Sequence, residues 1–354
     1  MSSKSVMIRE KIKICYLLES ADLGGGVRVV FDQARALTAL GHEVVIRACF
    51  GDHSWYPYPV NIRYVEKSDL PFEIQPDAII CTYWTTVKPA INLKIPLTFH
   101  LCQGYEGSFP ELKSLHSEIE AAYRHPIPKL TIGEWINDRL ISVFGAEAFP
   151  IFTIGQIADT EMFRPASHWL TKLFSSISQA NILVVGDYPI SCKGIGDALN
   201  AVAMLRSRGT KIRLIRVSLY PLCDEEQAIT RVDESYVKIL PTQMASIYRN
   251  SDILIAPYLS NEGFGLPLAE AMSSGIPAIA TRIPSFLSFD EKKDYAVFVP
   301  TKNPEAIADG ISSIMRNPLL KMKLASRGPN LIRKKFNAEV VASRVTNILT
   351  KCII

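Results

Sequence analysis

Two carboxylates, Glu262 and Glu270, stand with seven residues between them, and the intervening Gly263-Phe264-Gly265-Leu266-Pro267 is suited to bringing main chain close to a ligand. Glycine lets the backbone approach closely, and proline is tolerated in a first helical turn because its missing N–H would have no partner there. A helix starting near Leu266 leaves the amides of Gly263 to Leu266 as donors at a positive helix end, which suits a phosphate. Glu262 then lies on the loop and Glu270 about one turn into the helix. The inner carboxylate would repel a phosphate, but it can accept hydrogen bonds from the hydroxyls of a ribose diol. Diphosphate plus diol describes a nucleotide.

Elements that could carry this device are legible on both sides of it and again near the start of the chain. The stretch Ile253 to Ala280 sets the loop and helix between two apolar, strand-like runs. Ile12 to Leu18 reads as a buried strand. Gly24-Gly25-Gly26, an amphipathic helix over about Val27 to Leu40, Gly41 as its stop, and a strand over Val44 to Ala48 follow. This is a βαβ unit whose glycine loop opens at the carboxyl end of a strand, where doubly wound sheets bind ligands. Gly24 to Gly26 lack the spacing of a dinucleotide fingerprint, which argues against a dehydrogenase. From Ala180 the rhythm restarts, with a strand ending at Gly186, a helix over about Gly196 to Arg208 and a strand over Ile212 to Val217. Two Rossmann-like units are expected, 1–160 and 161–336, with a last amphipathic helix over 337–354 and a ligand cleft between the units.

Further candidates sit at strand ends. His100 closes the apolar run Leu97 to Leu101 and could donate to a phosphate or sugar oxygen, although a histidine there is also what a satisfied core residue looks like. Gln103, Tyr105 and Glu106 follow it as acceptor-side candidates, and Lys193 precedes Gly194 in the second unit. Trp55, Tyr56 and Tyr58 could stack on a sugar or simply pack, and His42 reads as a surface turn residue. No Asp-x-Asp triplet occurs, so no metal clamp for a diphosphate is expected.

The run EGFGLPLAEAMSSGIPAIAT, residues 262–281, resembles the EX7E motif of the retaining GT-B glycosyltransferases of group 1, also called glycosyltransferase family 4. The resemblance implies an α/β GT-B fold, two Rossmann-like domains facing a cleft, with the C-terminal helix crossing back to the first. It implies that Glu262 approaches the transferred sugar, that Gly263, Phe264, Gly265 and Leu266 bind the distal phosphate through their amides, and that Glu270 holds the ribose. The glycine loop, Gly25 and Gly26 in particular, would face the donor phosphates, with His100 and Lys193 beside the developing charge. Lys238 to Pro241 would border the base. Two departures stand out. Asp187 occupies the place of an arginine that usually assists the lysine, with Arg216 or Arg28 as possible substitutes, and Gln156-Ile157-Ala158 stands where an Asn-Gly pair is usual.

The implied activity is transfer of a hexose from a nucleotide diphosphate sugar to a hydroxyl acceptor, whether glycan, lipid-linked or small molecule, in glycan or polysaccharide biosynthesis. No cofactor and no metal is expected. A nucleotide-sugar epimerase of the same fold, which would convert free donor, and a degenerate sugar-nucleotide-binding subunit are the alternatives. Composition agrees with a globular enzyme: 354 residues, 48% hydrophobic and 21% charged, suffice for two α/β domains. The net charge of +4 calls for no nucleic acid partner. The 7 cysteines are scattered without metal-ligand spacing, which fits a reducing compartment. With a polar N-terminus and no membrane-spanning run, a cytoplasmic protein is expected; the basic run Lys321 to Lys335 reads first as a solvated helix face, with peripheral contact at the inner membrane face as the lesser option.

Overall fold

The computed structural model describes residues 11–66, 75–167, 179–259 and 262–353. Among them lie two wholly parallel sheets. The first runs β3-β2-β1-β4-β5-β6-β7, where β1 is Lys13–Ser20, β2 Glu43–Phe50, β3 Ile62–Tyr64, β4 Ala78–Cys81, β5 Leu97–Cys102, β6 Lys129–Thr131 and β7 Ile151–Thr153. The second runs β10-β9-β8-β11-β12-β13, where β8 is Ala180–Val185, β9 Ile212–Ser218, β10 Glu234–Val237, β11 Ile253–Ala256, β12 Ala278–Thr281 and β13 Val297–Val299. In a parallel sheet both faces are covered by helices, which explains why β1, β4, β8 and β11 read as apolar runs without alternation.

Strand order reverses at β1 beside β4 and again at β8 beside β11. A crevice opens at the carboxyl ends of such neighbours. The segments leaving β1, β8 and β11 are the two glycine-bearing loops and the loop that carries Glu262. Each leads into a helix: α1 (Gly25–Ala39) after β1, α5 (Ile195–Ser207) after β8 and α8 (Leu266–Ser273) after β11. The intervening helices of the first half are α2 (Trp84–Asn92), α3 (His116–Arg124) and α4 (Glu134–Phe144). In the second half α6 is Asp224–Ile229, α7 Pro241–Asn250, α9 Pro284–Leu287, α10 Pro304–Arg316 and α11 Pro318–Lys335.

The last helix, α12 (Ala338–Ile353), packs on the first half although it follows α11 of the second. Its Val341, Val345 and Leu349 are fully buried, and Arg344 Nη1 donates to the Ile154 carbonyl at 3.2 Å. His42 takes part in this docking, which corrects its reading as a surface residue: it is 4% exposed. Its Nδ1 accepts from the Ile12 amide at 3.3 Å, so Nε2 carries the proton and donates to Thr346 Oγ1 at 2.9 Å. That hydroxyl in turn donates to the Ala342 carbonyl. The turn is buried because a helix from the far end of the chain covers it.

The aromatics after β2 also pack. Trp55 stacks on Phe31 of α1 with ring centroids 5.5 Å apart and donates its indole N–H to the Ala21 carbonyl at 2.9 Å. Tyr56 donates to Asp32 at 2.7 Å and Tyr58 to Asp159 at 2.7 Å.

Replacing Thr346 by valine should remove the hydroxyl that receives the His42 N–H in the core and cost about 1–3 kcal/mol. Urea denaturation should then show a lower midpoint at an unchanged slope, and an unaltered midpoint would mean that the contact contributes nothing.

Candidate active site in the cleft between the sheets

A cavity of about 900 Å³ lies between the carboxyl ends of the two sheets and is lined from both. Helices α1, with Gly25, α7, with Pro241, and α8, with Leu266, begin at its wall, so the first-turn amides and positive dipole ends of all three border the same space. The α8 entrance depends on glycine. Gly265, the N-cap, holds φ +83°, and a Cβ there would lie 2.2 Å from the Phe286 ring. A Cβ on Gly263 would lie 2.6 Å from the Gln103 carbonyl oxygen of the opposite half, so this loop closes directly against the end of β5. Phe264 turns its ring into the core against Phe289 at 4.7 Å, which leaves its main chain for a ligand.

The charges beside the starts of α8 and α1 are paired. Lys193 ends a short 3-10 turn, Ser191–Lys193, and Gly194 behind it adopts the left-handed conformation at φ +61°, where a Cβ would strike the Pro257 carbonyl at 2.1 Å. That turn aims Lys193 Nζ at Glu262 Oε2, 2.6 Å away, with the ammonium 4.8 Å from the centre of the Tyr258 ring. Burial alone would lower the lysine pKa, but the Glu262 carboxylate outweighs it and holds the ammonium above its ordinary range. Glu270 is 5% exposed and doubly engaged: Arg28 Nη1 lies 2.5 Å from Oε1, and Tyr248 donates its hydroxyl to Oε2 at 2.9 Å. Burial raises the Glu270 pKa, an effect the Arg28 charge only partly offsets. Arg28 also reaches Asp32 at 3.5 Å and lies over the Phe163 ring at 4.9 Å.

Most of the residues singled out in the sequence meet here. Glu262, Lys193, Gly25, Gly26, Gly263, Phe264, Gly265, Leu266 and Glu270 all line the cavity. His100 does not, which corrects its placement beside the donor. It is fully buried within β5, its ring 4.7 Å from that of Tyr123, and neither ring nitrogen has a hydrogen-bond partner among the described residues. Burial and the nearby Lys129 push its pKa well below the ordinary value, so it is a neutral core histidine. Tyr105 is likewise buried, whereas Gln103 and Glu106 line the cavity from the first half.

Of the two arginines considered as substitutes, Arg216 is out of reach. It is fully buried, with Nε 2.5 Å from Glu226 Oε1 and the other nitrogens donating to the Val184 and Gly186 carbonyls at 2.8 and 2.9 Å. Arg28 is at the cleft. Asp187 holds two loops together, since its Oδ1 accepts from the Leu219 amide at 2.6 Å and so joins the segments after β8 and β9. The Arg28–Glu270 pair, between residues 242 positions apart, is what the sequence could not show. Among the described residues no group of three or more His, Cys, Asp or Glu side chains is placed to hold a metal ion, and no helix is long and apolar enough to cross a membrane.

Comparison with known proteins supports the family resemblance. Residues 179–317 match a family model described as glycosyl transferases group 1. The phosphatidyl-myo-inositol mannosyltransferase of Mycobacterium leprae is 25% identical over 173 residues, 47% of this chain and 45% of that protein. The D-inositol 3-phosphate glycosyltransferase of Saccharomonospora viridis is 24% identical over 216 residues, 56% of this chain and 50% of that one. The chain thus spans about half the length of the curated relatives it matches. Sucrose-phosphate synthase from Thermosynechococcus elongatus superimposes with a TM-score of 0.77 at 17% identity, over 96% of this chain and 98% of that one. Anabaena HepE, solved with UDP and glucose, does so with a TM-score of 0.74 at 14% identity, over 96% and 99%. At these identities the likeness shows the fold, which is GT-B: two Rossmann-like domains facing a cleft.

Glu106 generates a pH prediction. Burial raises its carboxyl pKa above the ordinary value, against the opposing effect of the hydrogen bond from Tyr123. The folded protein therefore holds this proton more tightly than the unfolded chain. The group favours folding at low pH, and that contribution is lost as pH rises from about 4.5 through the raised value. Glu106→Gln should remove the loss, so its stability relative to wild type should climb as pH rises above about 4.5. Parallel denaturation series over that window would show it, and a constant difference would refute the assignment.

Proposed function

We propose that this chain is a retaining, metal-independent hexosyltransferase that moves a hexose from a nucleotide diphosphate sugar to a hydroxyl acceptor. The observation that carries this reading is the Lys193–Glu262 pair at the amide-rich entrance of α8, inside a cavity roomy enough for a nucleotide sugar. A diphosphate seated there would meet main-chain N–H groups of Gly263 to Leu266 and the Lys193 ammonium. Both oppose the negative charge that grows on the leaving group as the glycosidic bond breaks. Groups preorganised in this way each contribute about 3–4 kcal/mol in comparable sites. Glu262, relieved of Lys193 by the incoming phosphate, is free to accept from the hydroxyls of the hexose. Glu270 would take the ribose through lone pairs not already used by Arg28 and Tyr248.

Residues 1–160 would present the acceptor and 161–336 the donor, with 337–354 tying the last helix to the first unit. Glu262 is assigned to the hydroxyls of the hexose, so the departing phosphate is the base assigned to the acceptor hydroxyl. That choice keeps bond making and bond breaking on one face of the sugar and retains its configuration. The complex of HepE with UDP and glucose supports a uridine diphosphate donor, while the mannosyltransferase relatives support mannose as the hexose. The seven free thiols suit a cytoplasmic setting.

A second reading, a sugar-nucleotide-binding subunit without turnover, is favoured by Asp187. It fills a position where the family carries a cation and is committed to the Leu219 amide.

Thermal shift with UDP, GDP, ADP and their sugars should single out one nucleotide, since a ligand at about 100 times its Kd adds roughly 2.7 kcal/mol. With that donor, Glu262→Gln and Lys193→Met should each lower kcat by about 10²–10³. Transfer should persist in a chelator. Nucleotide binding without turnover in the wild type would move the assignment to the non-catalytic subunit, and loss of all activity in chelator would refute metal independence.

A further inference from the structure

The acceptor's chemistry can be read from the half of the cleft that the first sheet supplies, given the transferase reading above. Three carboxylates line it, Glu19 at the end of β1, Glu106 and Glu111 beyond β5. Among the described residues the first half offers the cavity a single cation, Arg28, and its guanidinium is already shared between Glu270 and Asp32. Lys193 and Lys238 line the other half. A phosphate on the acceptor would therefore enter a region of its own sign, with no uncommitted side-chain cation facing it there and only the first-turn amides of α1 to set against the three carboxylates.

Glu106 is the best defined of the three. It opens a short 3-10 turn, Glu106–Ser108, and Tyr123 fixes it by donating its hydroxyl to Oε2 at 2.5 Å. Tyr123 is itself locked between Tyr105, edge-on at 5.0 Å, and Phe144, stacked at 5.9 Å. Because Glu106 lines the cavity, the carboxylate lone pairs not taken by Tyr123 and by its own main chain are acceptors on that wall. No ion pair to Glu106 forms among the described residues. Tyr83 and Phe109, both partly buried, line the same half and offer the ring faces on which sugars pack.

We propose that this half-site binds an uncharged carbohydrate acceptor that bears no phosphate where it contacts the protein, and that Glu106 receives one of its hydroxyls. A fixed carboxylate accepting from a hydroxyl makes a charge-assisted hydrogen bond, and it discriminates against anions at the same time.

The test uses the full chain saturated with whichever nucleotide the thermal-shift panel selects. Saturation-transfer NMR titrations then compare glucose with glucose 6-phosphate and mannose with mannose 6-phosphate, and octyl glucoside serves as a lipid-linked probe. Each neutral sugar should bind about tenfold more tightly than its phosphorylated partner, which brings a like charge toward the three carboxylates. A further gain for octyl glucoside would assign the sugar to a lipid carrier and equal binding to a soluble glycan, and both agree with the proposal. Glu106→Gln should weaken the neutral sugars by about the same factor, with nucleotide affinity unchanged and Tm not lowered. Glu106→Lys should reverse the preference.

Tighter binding of a phosphorylated sugar, or indifference of the neutral sugars to Glu106→Gln, would overturn the proposal. Failure of every nucleotide to bind would instead sink the transferase reading, and the first titration separates the two failures.

Discussion

Charge neutrality inside a partly dry cleft is the constraint on which this site rests. Removing an ion from water costs several kcal/mol unless an opposite charge meets it at close range. Lys193 with Glu262, and Arg28 with Glu270 and Asp32, meet that demand before any ligand arrives. The positions of these side chains are therefore set in advance, and a ligand does not have to organise them. An incoming diphosphate would exchange partners with a lysine that is already charged, already placed and held above its ordinary pKa.

Glycine makes the same arrangement possible on the backbone side. At Gly265 and Gly194 any side chain would collide with Phe286 or with the Pro257 carbonyl, and at Gly263 with the opposite domain. These contacts let α8 start flush with the cavity wall. The GT-B fold then brings helix N-termini from both halves to one space because both sheets turn their carboxyl edges toward it. The chemistry is thus a property of where strands end, with side chains refining it.

What could be read in advance follows from the range of the interactions involved. The start of α8, the pair Glu262 and Glu270 and the glycine entrance were legible because Gly, Pro and Glu act within a few residues of one another. The βαβ rhythm was legible for the same reason. His100 was placed wrongly because an apolar run does not reveal which residue of a buried strand points to the core and which to a strand-end loop. His42 was misjudged because the helix that covers it comes about 300 residues later. Arg28 was only one of two options until the fold set it against Glu270, and Asp187 could be seen as a departure without its partner at Leu219. Trp55 and Tyr56 left stacking or packing open, and Phe31 decided it.

The chain passes from the first sheet to the second between Thr153 and Ala180 and returns before α12. These two crossings touch, since the Ala158 amide donates to the Phe336 carbonyl at 2.8 Å. A body joined to its neighbour by two adjacent threads can swing about the line through them more easily than it can slide or twist away. The cavity mouth would widen like a book opened from its spine, and Arg28 with Glu270, on facing pages, would be parted by such a swing while Lys193 and Glu262 travel together.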